Sequence, residues 1–244
     1  MPQNIYDEPA FFDGYKKLRQ DDTGLNGALE VPALRALLPD LKGLRILDLG
    51  CGFGDFARFV HSSGAISVTG LDVSENRVAE ARRLTDSSDI DYICSSIESH
   101  VAAEKSIDLV VSSLALHYVD DYGCVVQKVF DWLAPGGRFI FSVEHPICTA
   151  NPVGWTKDTQ DNAVSWPLDN YHYQGIRQTK WFVDGVVKFH RTCETYVGTL
   201  LGAGFQLDHF KEPTPTAEAL DERHSLAIHL RRPPFLLLAA TKPM

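Results

Sequence analysis

From Leu44 onward, short apolar runs alternate with amphipathic stretches, the trace that βα units on a parallel sheet leave in a sequence. "LRILDL" (44–49) reads as a strand, "DFARFVHSS" as a helix closed by Gly64, and "AISVTGLDV" as the next strand. Ser74 is placed to cap "ENRVAEARRLT", with Glu75 in the first turn and Arg82 and Arg83 in the last, which suits the helix dipole. "IDYIC" and "IDLVVSS" supply two more buried strands. "CVVQKVFDWL" is a helix that stops at "APGG", and "RFIFSVEH" resumes the sheet.

From Pro146 to about His190 the periodicity gives way to turn residues and aromatics, including Trp155, Trp166 and Trp181. The stretch is too long for an ordinary connection and is expected to be a functional insertion or lid. Within it, "TKWFVDGVVKFHRT" reads as a hairpin turning at Asp184–Gly185, and Thr192 as the cap of a following helix, "ETYVGTLLGAG". The strand "FQLDHFKEP", a helical piece around "AEALDERHSLAIHL" and the strand "FLLLAATKP" close the chain, and two β segments so close together suggest an antiparallel finish.

Length and composition narrow the classes. A chain of 244 residues with 44% hydrophobic content can bury a substantial core as one domain with an insertion. The net charge of −9 disfavours a nucleic-acid partner, which needs a basic face to neutralise phosphates. The five cysteines are scattered, with no CxxC pair and no His at metal spacing, so free thiols of a reducing, cytoplasmic compartment and no metal are expected. "FLLLAA" is too short to span a bilayer, the N-terminus lacks the pattern of a signal peptide, and no membrane partner is expected. The oligomeric state is not legible.

Chemistry concentrates in "ILDLGCGFGDFARFV", where a strand runs through three glycines into a helix. A turn of that kind lets a ligand approach the backbone with N–H groups pointing at it. Gly50, Gly52 and Gly54 follow GxGxG rather than the GxGxxG of a dinucleotide site, and no Lys-Ser/Thr follows as in a phosphate loop. Asp48 precedes the glycines, and Asp72 ends the next strand, where a ribose diol would be gripped. The order suggests an adenosine-bearing ligand without phosphates, with a nicotinamide-dependent oxidoreductase as an alternative.

These residues resemble the class I S-adenosylmethionine-dependent methyltransferases. "ILDLGCGFG" looks like the first motif, "VTGLDVS" the acidic second, "IDLVVSSLALHYVDD" the fourth, and "WLAPGGRFIFSV" the turn and fifth strand. The resemblance implies a Rossmann-like α/β fold: a seven-stranded, mostly parallel sheet with an antiparallel last strand, helices on both faces and the insertion after strand five. It implies S-adenosylmethionine as cofactor, S-adenosylhomocysteine as product, and a helical cover over residues 1–43 ahead of a catalytic domain at 44–244, with 146–190 as the lid. By the same resemblance Asp48 anchors the loop, Gly50 and Gly52 lie beside the methionine, and Asp72 binds the ribose. Val73 flanks the adenine, Ser96 and Ile97 stand where an Asp and its neighbour are usual, and Ser113 completes the set. Tyr15 and Arg19, four apart on one helix face, could reach the methionine carboxylate.

Methyl transfer is an in-line displacement, so proximity and, for a weak nucleophile, a base are needed. His117 in "SSLALHY" and Glu144 and His145 in "FSVEHP" occupy the ends of the fourth and fifth strands, with His145 ranked first because Pro146 holds it extended. The insertion offers Tyr171, His172 and Trp181, followed by His190 and Arg191, as acceptor contacts. A small-molecule acceptor is expected, against the alternative of a noncatalytic cofactor-binding module.

Overall fold

The computed structural model describes residues Asn4, Asp7, Glu8, Phe12, Gly14, 24–151, 153–181 and 183–244. Its strands are β1 (Arg45–Leu49), β2 (Ser67–Asp72), β3 (Ile90–Cys94), β4 (Ile107–Ser113), β5 (Leu133–Glu144), β6 (Thr156–Lys157), β7 (Ala163–Ser165), β8 (Gly175–Trp181), β9 (Val183–His190), β10 (Gln206–Lys211) and β11 (Phe235–Thr241). The helices are α1 (Val31–Arg35, entered through a π turn at Asn26–Glu30), α2 (Asp55–Ser62), α3 (Glu75–Arg83), α4 (Tyr122–Trp132), α5 (Pro146–Ala150), α6 (Cys193–Gly202) and α7 (Ala217–Glu222).

Seven strands join in the order β10-β11-β5-β4-β1-β2-β3. β1 to β5 pair in parallel, and β11 runs antiparallel to both β5 and β10. The apolar runs are continuous because both faces of the sheet are covered. Leu47, Leu49, Val110, Phe139, Phe141, Leu236 and Leu238 point to one face and pack on Val125, Val129, Tyr196 and Leu200 of α4 and α6. Ile46, Val68, Leu109, Val111, Ile140 and Leu237 point to the other, under Ala33 and Leu34 of α1, Ala57 and Val60 of α2, and Val78 and Ala81 of α3. Full burial of each such aliphatic or aromatic side chain contributes about 1.5–3 kcal/mol, so these two layers hold the molecule together.

Strand order reverses between β1 and β4, and ligands of open α/β sheets bind in the crevice outside the carboxyl ends at such a switch point. The helix caps follow local rules: Ser74 accepts from the Arg77 amide at 3.1 Å, Asp121 from Cys124 at 2.8 Å and Thr192 from Thr195 at 3.1 Å.

Between β5 and α6 the chain builds α5 and two separate hairpins, β6/β7 and β8/β9. The expected turn at Asp184–Gly185 is corrected here. Trp181 still pairs with Val183, so the reversal lies between them, while Thr179 pairs with Val186. Asp184 and Gly185 form a bulge opposite Lys180, with Gly185 at φ +80°. Asp-Gly serves a left-handed bulge as well as a two-residue turn, and the pattern alone does not separate them. Among the described residues no helix is long and apolar enough to cross a membrane.

Candidate functional site

A cleft of about 1090 Å³ opens at the switch point and runs from the glycine turn to the insertion. Of the residues singled out in the sequence, Asp48, Gly50, Gly52, Asp72, Val73, Ser96, Ile97, Ser113, His117 and Glu144 line it. His145, Tyr171, His172, His190 and Arg191 do not, and they are accounted for below. Tyr15, Arg19 and Phe182 lie outside the described residues, as does the side chain of Trp181.

The glycines divide the work. Gly50 sits at φ +86°, and a Cβ there would come within 2.5 Å of the Ala115 Cβ just beyond β4. It therefore makes room for the protein's own packing across the switch point. Gly52, at φ +54°, has nothing within 4 Å of where a Cβ would stand, so it faces open cleft. Its amide donates to Asp72 Oδ2 at 2.9 Å, and the Ser74 amide donates to Asp72 Oδ1 at 2.9 Å. One carboxylate thus ties the turn after β1 to the start of α3, with Arg77 Nη1 3.7 Å away to balance its charge.

Asp48 is fully enclosed, and its Oδ2 has no hydrogen-bond partner. Burial, followed by the negative charges of Asp72, Asp55 and Glu30, pushes its pKa up to about 8. Glu30, from the π turn ahead of α1, reaches the same face, where its Oε1 accepts from Ser113 Oγ at 2.9 Å and Ser142 Oγ at 2.5 Å. That bond pair pins the N-terminal helical segment across the ends of β4 and β5. Nearer the start of the chain, Phe12 packs edge-on against Phe53 at 5.6 Å, and Asp7 accepts from the Ser74 hydroxyl and from the amides of Glu75 and Asn76.

At the far side of the switch point, His117 Nδ1 accepts the Glu144 amide at 3.3 Å, which places its ring hydrogen on Nε2. Burial, with help from the charges of Lys188 and Arg191, holds its pKa well below the usual value, so the ring is neutral near pH 7. Its lone pair is committed to the backbone, leaving it a donor rather than a base. The Glu144 carboxylate faces the Lys188 ammonium.

His145, ranked first as a base, is turned away from the cleft. Its Nδ1 caps α5 by accepting the Ile147 amide at 3.1 Å, so Nε2 carries the hydrogen and meets Glu212 Oε1 at 2.8 Å. Pro146 does hold His145 extended, but as a helix cap.

The insertion's expected contacts are likewise scaffolding. His190 Nε2 donates to the Tyr171 carbonyl at 2.9 Å, and its Nδ1 meets the Thr149 hydroxyl at 2.7 Å. The Tyr171 hydroxyl accepts the Cys193 amide at 3.0 Å. Arg191 Nη2 donates to the carbonyls of Val119 and Asp120, fastening the loop after β4. His172 is exposed, beside the Tyr171 ring at 5.5 Å.

The cleft wall on that side comes instead from Arg177, Thr179, Val187 and Lys188 of the β8/β9 hairpin, from Trp166, and from Arg232 before β11. Trp166 is one of the insertion aromatics expected from the sequence, whereas Arg177, Thr179, Val187, Lys188 and Arg232, together with Glu30, were missed. The one available signal was the two-residue alternation of β8 and β9, which places Arg177 and Thr179 on one face. Which face turns inward was not encoded in that alternation. Glu30 gave no signal, because an acid in an irregular helical turn reads as solvent-exposed.

A family model described as a methyltransferase domain matches residues 47–141. A solved structure of an S-adenosylmethionine-dependent methyltransferase from Mesorhizobium loti is 43% identical, covers 90% of this chain and 99% of its own, and superposes with a TM-score of 0.83. A Listeria monocytogenes protein assigned to the same enzymes is 39% identical over 88% of this chain and 97% of its own, at a TM-score of 0.84. A malonyl-[acyl-carrier protein] O-methyltransferase from Enterobacter lignolyticus is 38% identical over 110 residues, and there this chain spans only 43% of the relative's length.

Proposed function

The chain belongs to the class I S-adenosylmethionine-dependent methyltransferases, and on that premise we propose that it methylates a small-molecule acceptor held in the outer half of the cleft. The observation that carries this reading is the continuity of the cleft, which joins the glycine turn to His117, Glu144 and the insertion in one space. Its volume of about 1090 Å³ lies just above the range of single small-molecule sites, roughly 300–1,000 Å³, and suits a cofactor and an acceptor side by side. The acidic net charge supports a metabolite over a nucleic acid.

The glycine end fits the cofactor. An unpartnered buried carboxylate oxygen on Asp48, open space beside Gly52 and surrounding acidity suit a ligand bearing sulfonium and ammonium charges. In this reading Asp72 receives the ribose hydroxyls while keeping the Gly52 and Ser74 amides, and Val73, Ser96 and Ile97 border the adenine. Gly50 and Gly52 lie beside the methionine moiety, with Ser113 positioned through Glu30. Bound there, S-adenosylmethionine supplies an electrophilic methyl group, with S-adenosylhomocysteine as the product.

The protein's own part is placement and dryness. Residues 1–43 act as a cover and 146–190 as the acceptor wall, shutting out water that would otherwise separate the reactants. Where the acceptor carries a proton, Glu144 is the group to receive it, because His117 offers only an N–H and His145 faces Glu212. A base of this kind contributes about 10²–10⁴ in rate.

Calorimetric titration with S-adenosylmethionine, S-adenosylhomocysteine and NADH, repeated on Asp72→Ala, tests the reading. Tight binding of both adenosyl ligands, lost in the variant, is the expected result. Preference for NADH, or no adenosyl binding, overturns it. Adenosyl binding without methyl transfer to any member of a metabolite panel favours a noncatalytic module.

A further inference from the structure

The two ends of the cleft carry opposite charge. Glu30, Asp55 and Asp72, joined by Asp48 once it loses its proton, outnumber Arg35 and Arg77 at the glycine end, and Arg177, Lys188 and Arg232 stand at the other. The acids on the basic side are Asp120, exposed at the rim, and Glu144, whose charge is met by Lys188. Arg177 and Arg232 have no such counter-charge. Among the described residues neither lies within ion-pair distance of a carboxylate: Arg177 donates to the carbonyls of Ile176 and Tyr173, and Arg232 to the Pro233 carbonyl at 3.4 Å and Cys148 Sγ at 2.8 Å.

Arg232 is also held in a fixed pose. Its guanidinium lies 4.2 Å from the centroid of the Trp166 ring, and the indole is itself pinned by an Nε1 bond to the Ile147 carbonyl at 3.1 Å. Its Nε is buried with no partner. Cys148 does not neutralise it, because burial raises that thiol's pKa to about 12. A half-buried guanidinium without a counter-ion is costly unless an anion arrives, and a planar fork set in advance against an aromatic face matches carboxylate or phosphate oxygens.

We propose that the acceptor is a small anion whose carboxylate or phosphate group docks on Arg232, with Arg177 of the β8/β9 hairpin adding charge. This rests on the methyltransferase reading of the same cleft and supplies its substrate class. The anion sits at the end of the cleft away from Asp48, so the acidic pole receives the cationic cofactor and the basic pole the acceptor. Each pole repels the other's ligand, which gives the two binding sites their order.

The test is calorimetry on the full chain with benzoate, phenyl phosphate and uncharged benzamide, each with and without saturating S-adenosylhomocysteine. At least one anion should bind tenfold or more tighter than benzamide, roughly the worth of one charge-assisted hydrogen bond. Preference for benzoate assigns a carboxylate and preference for phenyl phosphate a phosphate. Arg232→Gln should weaken that anion about tenfold or more, Arg232→Lys less, and Arg177→Gln severalfold, with the affinity for S-adenosylhomocysteine within about twofold of wild type. Arg177→Gln, on a hairpin outside the sheet, keeps the test open if Arg232 variants fold poorly. Anions that bind no better than benzamide, or that ignore both arginines, overturn the proposal even where S-adenosylhomocysteine binds. Failure of S-adenosylhomocysteine to bind counts against the methyltransferase reading instead, and the titrations without it still report on the anion site.

Discussion

The glycine end of the cleft and the 146–190 insertion differ in how their chemistry is carried. At the glycine end the binding surface is mostly backbone and strand-end acids, fixed within one βαβ unit: the amides of Gly52 and Ser74 converge on Asp72, and Asp48 stands near the end of β1. In the insertion, the residue types that look most like binding groups hold the segment together. His190 bonds Thr149 and Tyr171, Tyr171 bonds Cys193, and Arg191 bonds the loop after β4. The contrast teaches that a buried histidine or arginine in a small outlying hairpin is first spent on satisfying backbone groups that no core covers.

That contrast can be broken or sharpened by substitution. The largest effect is expected from Gly50→Ala, which meets Ala115 and a left-handed φ together and should lower stability by about 3 kcal/mol in thermal melts. Gly52→Ala has only the φ strain, about 1–2 kcal/mol, and should show its main effect as weakened cofactor binding. Equal melting losses would break the distinction between a packing glycine and a ligand glycine. Asp72→Ala releases two backbone amides and should weaken S-adenosylmethionine about 100-fold by calorimetry. His190→Ala should cost about 1–3 kcal/mol in denaturant unfolding and leave cofactor affinity unchanged; an intact fold with lost turnover would return His190 to the site.

A smaller and graded effect follows from Asp48. Free protein holds its proton up to about pH 8, whereas the unfolded chain releases it near the ordinary carboxylate value. The folded state therefore binds the extra proton, and stability falls as pH rises between those limits. A cationic ligand favours the carboxylate, so S-adenosylmethionine affinity should rise from pH 6 to 8 by at most about tenfold per unit, with proton release on binding. S-adenosylhomocysteine, lacking the sulfonium charge, should rise less, and Asp48→Asn should flatten both profiles. The smallest effect belongs to Tyr173→Ser: the ring is 74% exposed and outside the cleft, so stability should change by less than about 0.5 kcal/mol and kcat/KM should not move.

The sequence by itself determined the strands that make the sheet, the caps at Ser74 and Thr192, and the acid–glycine–acid order that sets the cofactor end, because each is written in the pattern and spacing of residues within a strand, a turn or one βαβ unit. Tertiary structure alone decided that His145 turns to Glu212 rather than facing the cleft, that Asp184–Gly185 form a bulge, and that Glu30 crosses the chain to Ser113 and Ser142. It also decided which side of the β8/β9 hairpin turns Arg177 and Lys188 inward toward Arg232. The physical reason is range. A hydrogen bond between neighbours is written in their spacing, whereas the direction a hairpin faces is set by the surface it packs on, supplied by residues tens of positions away.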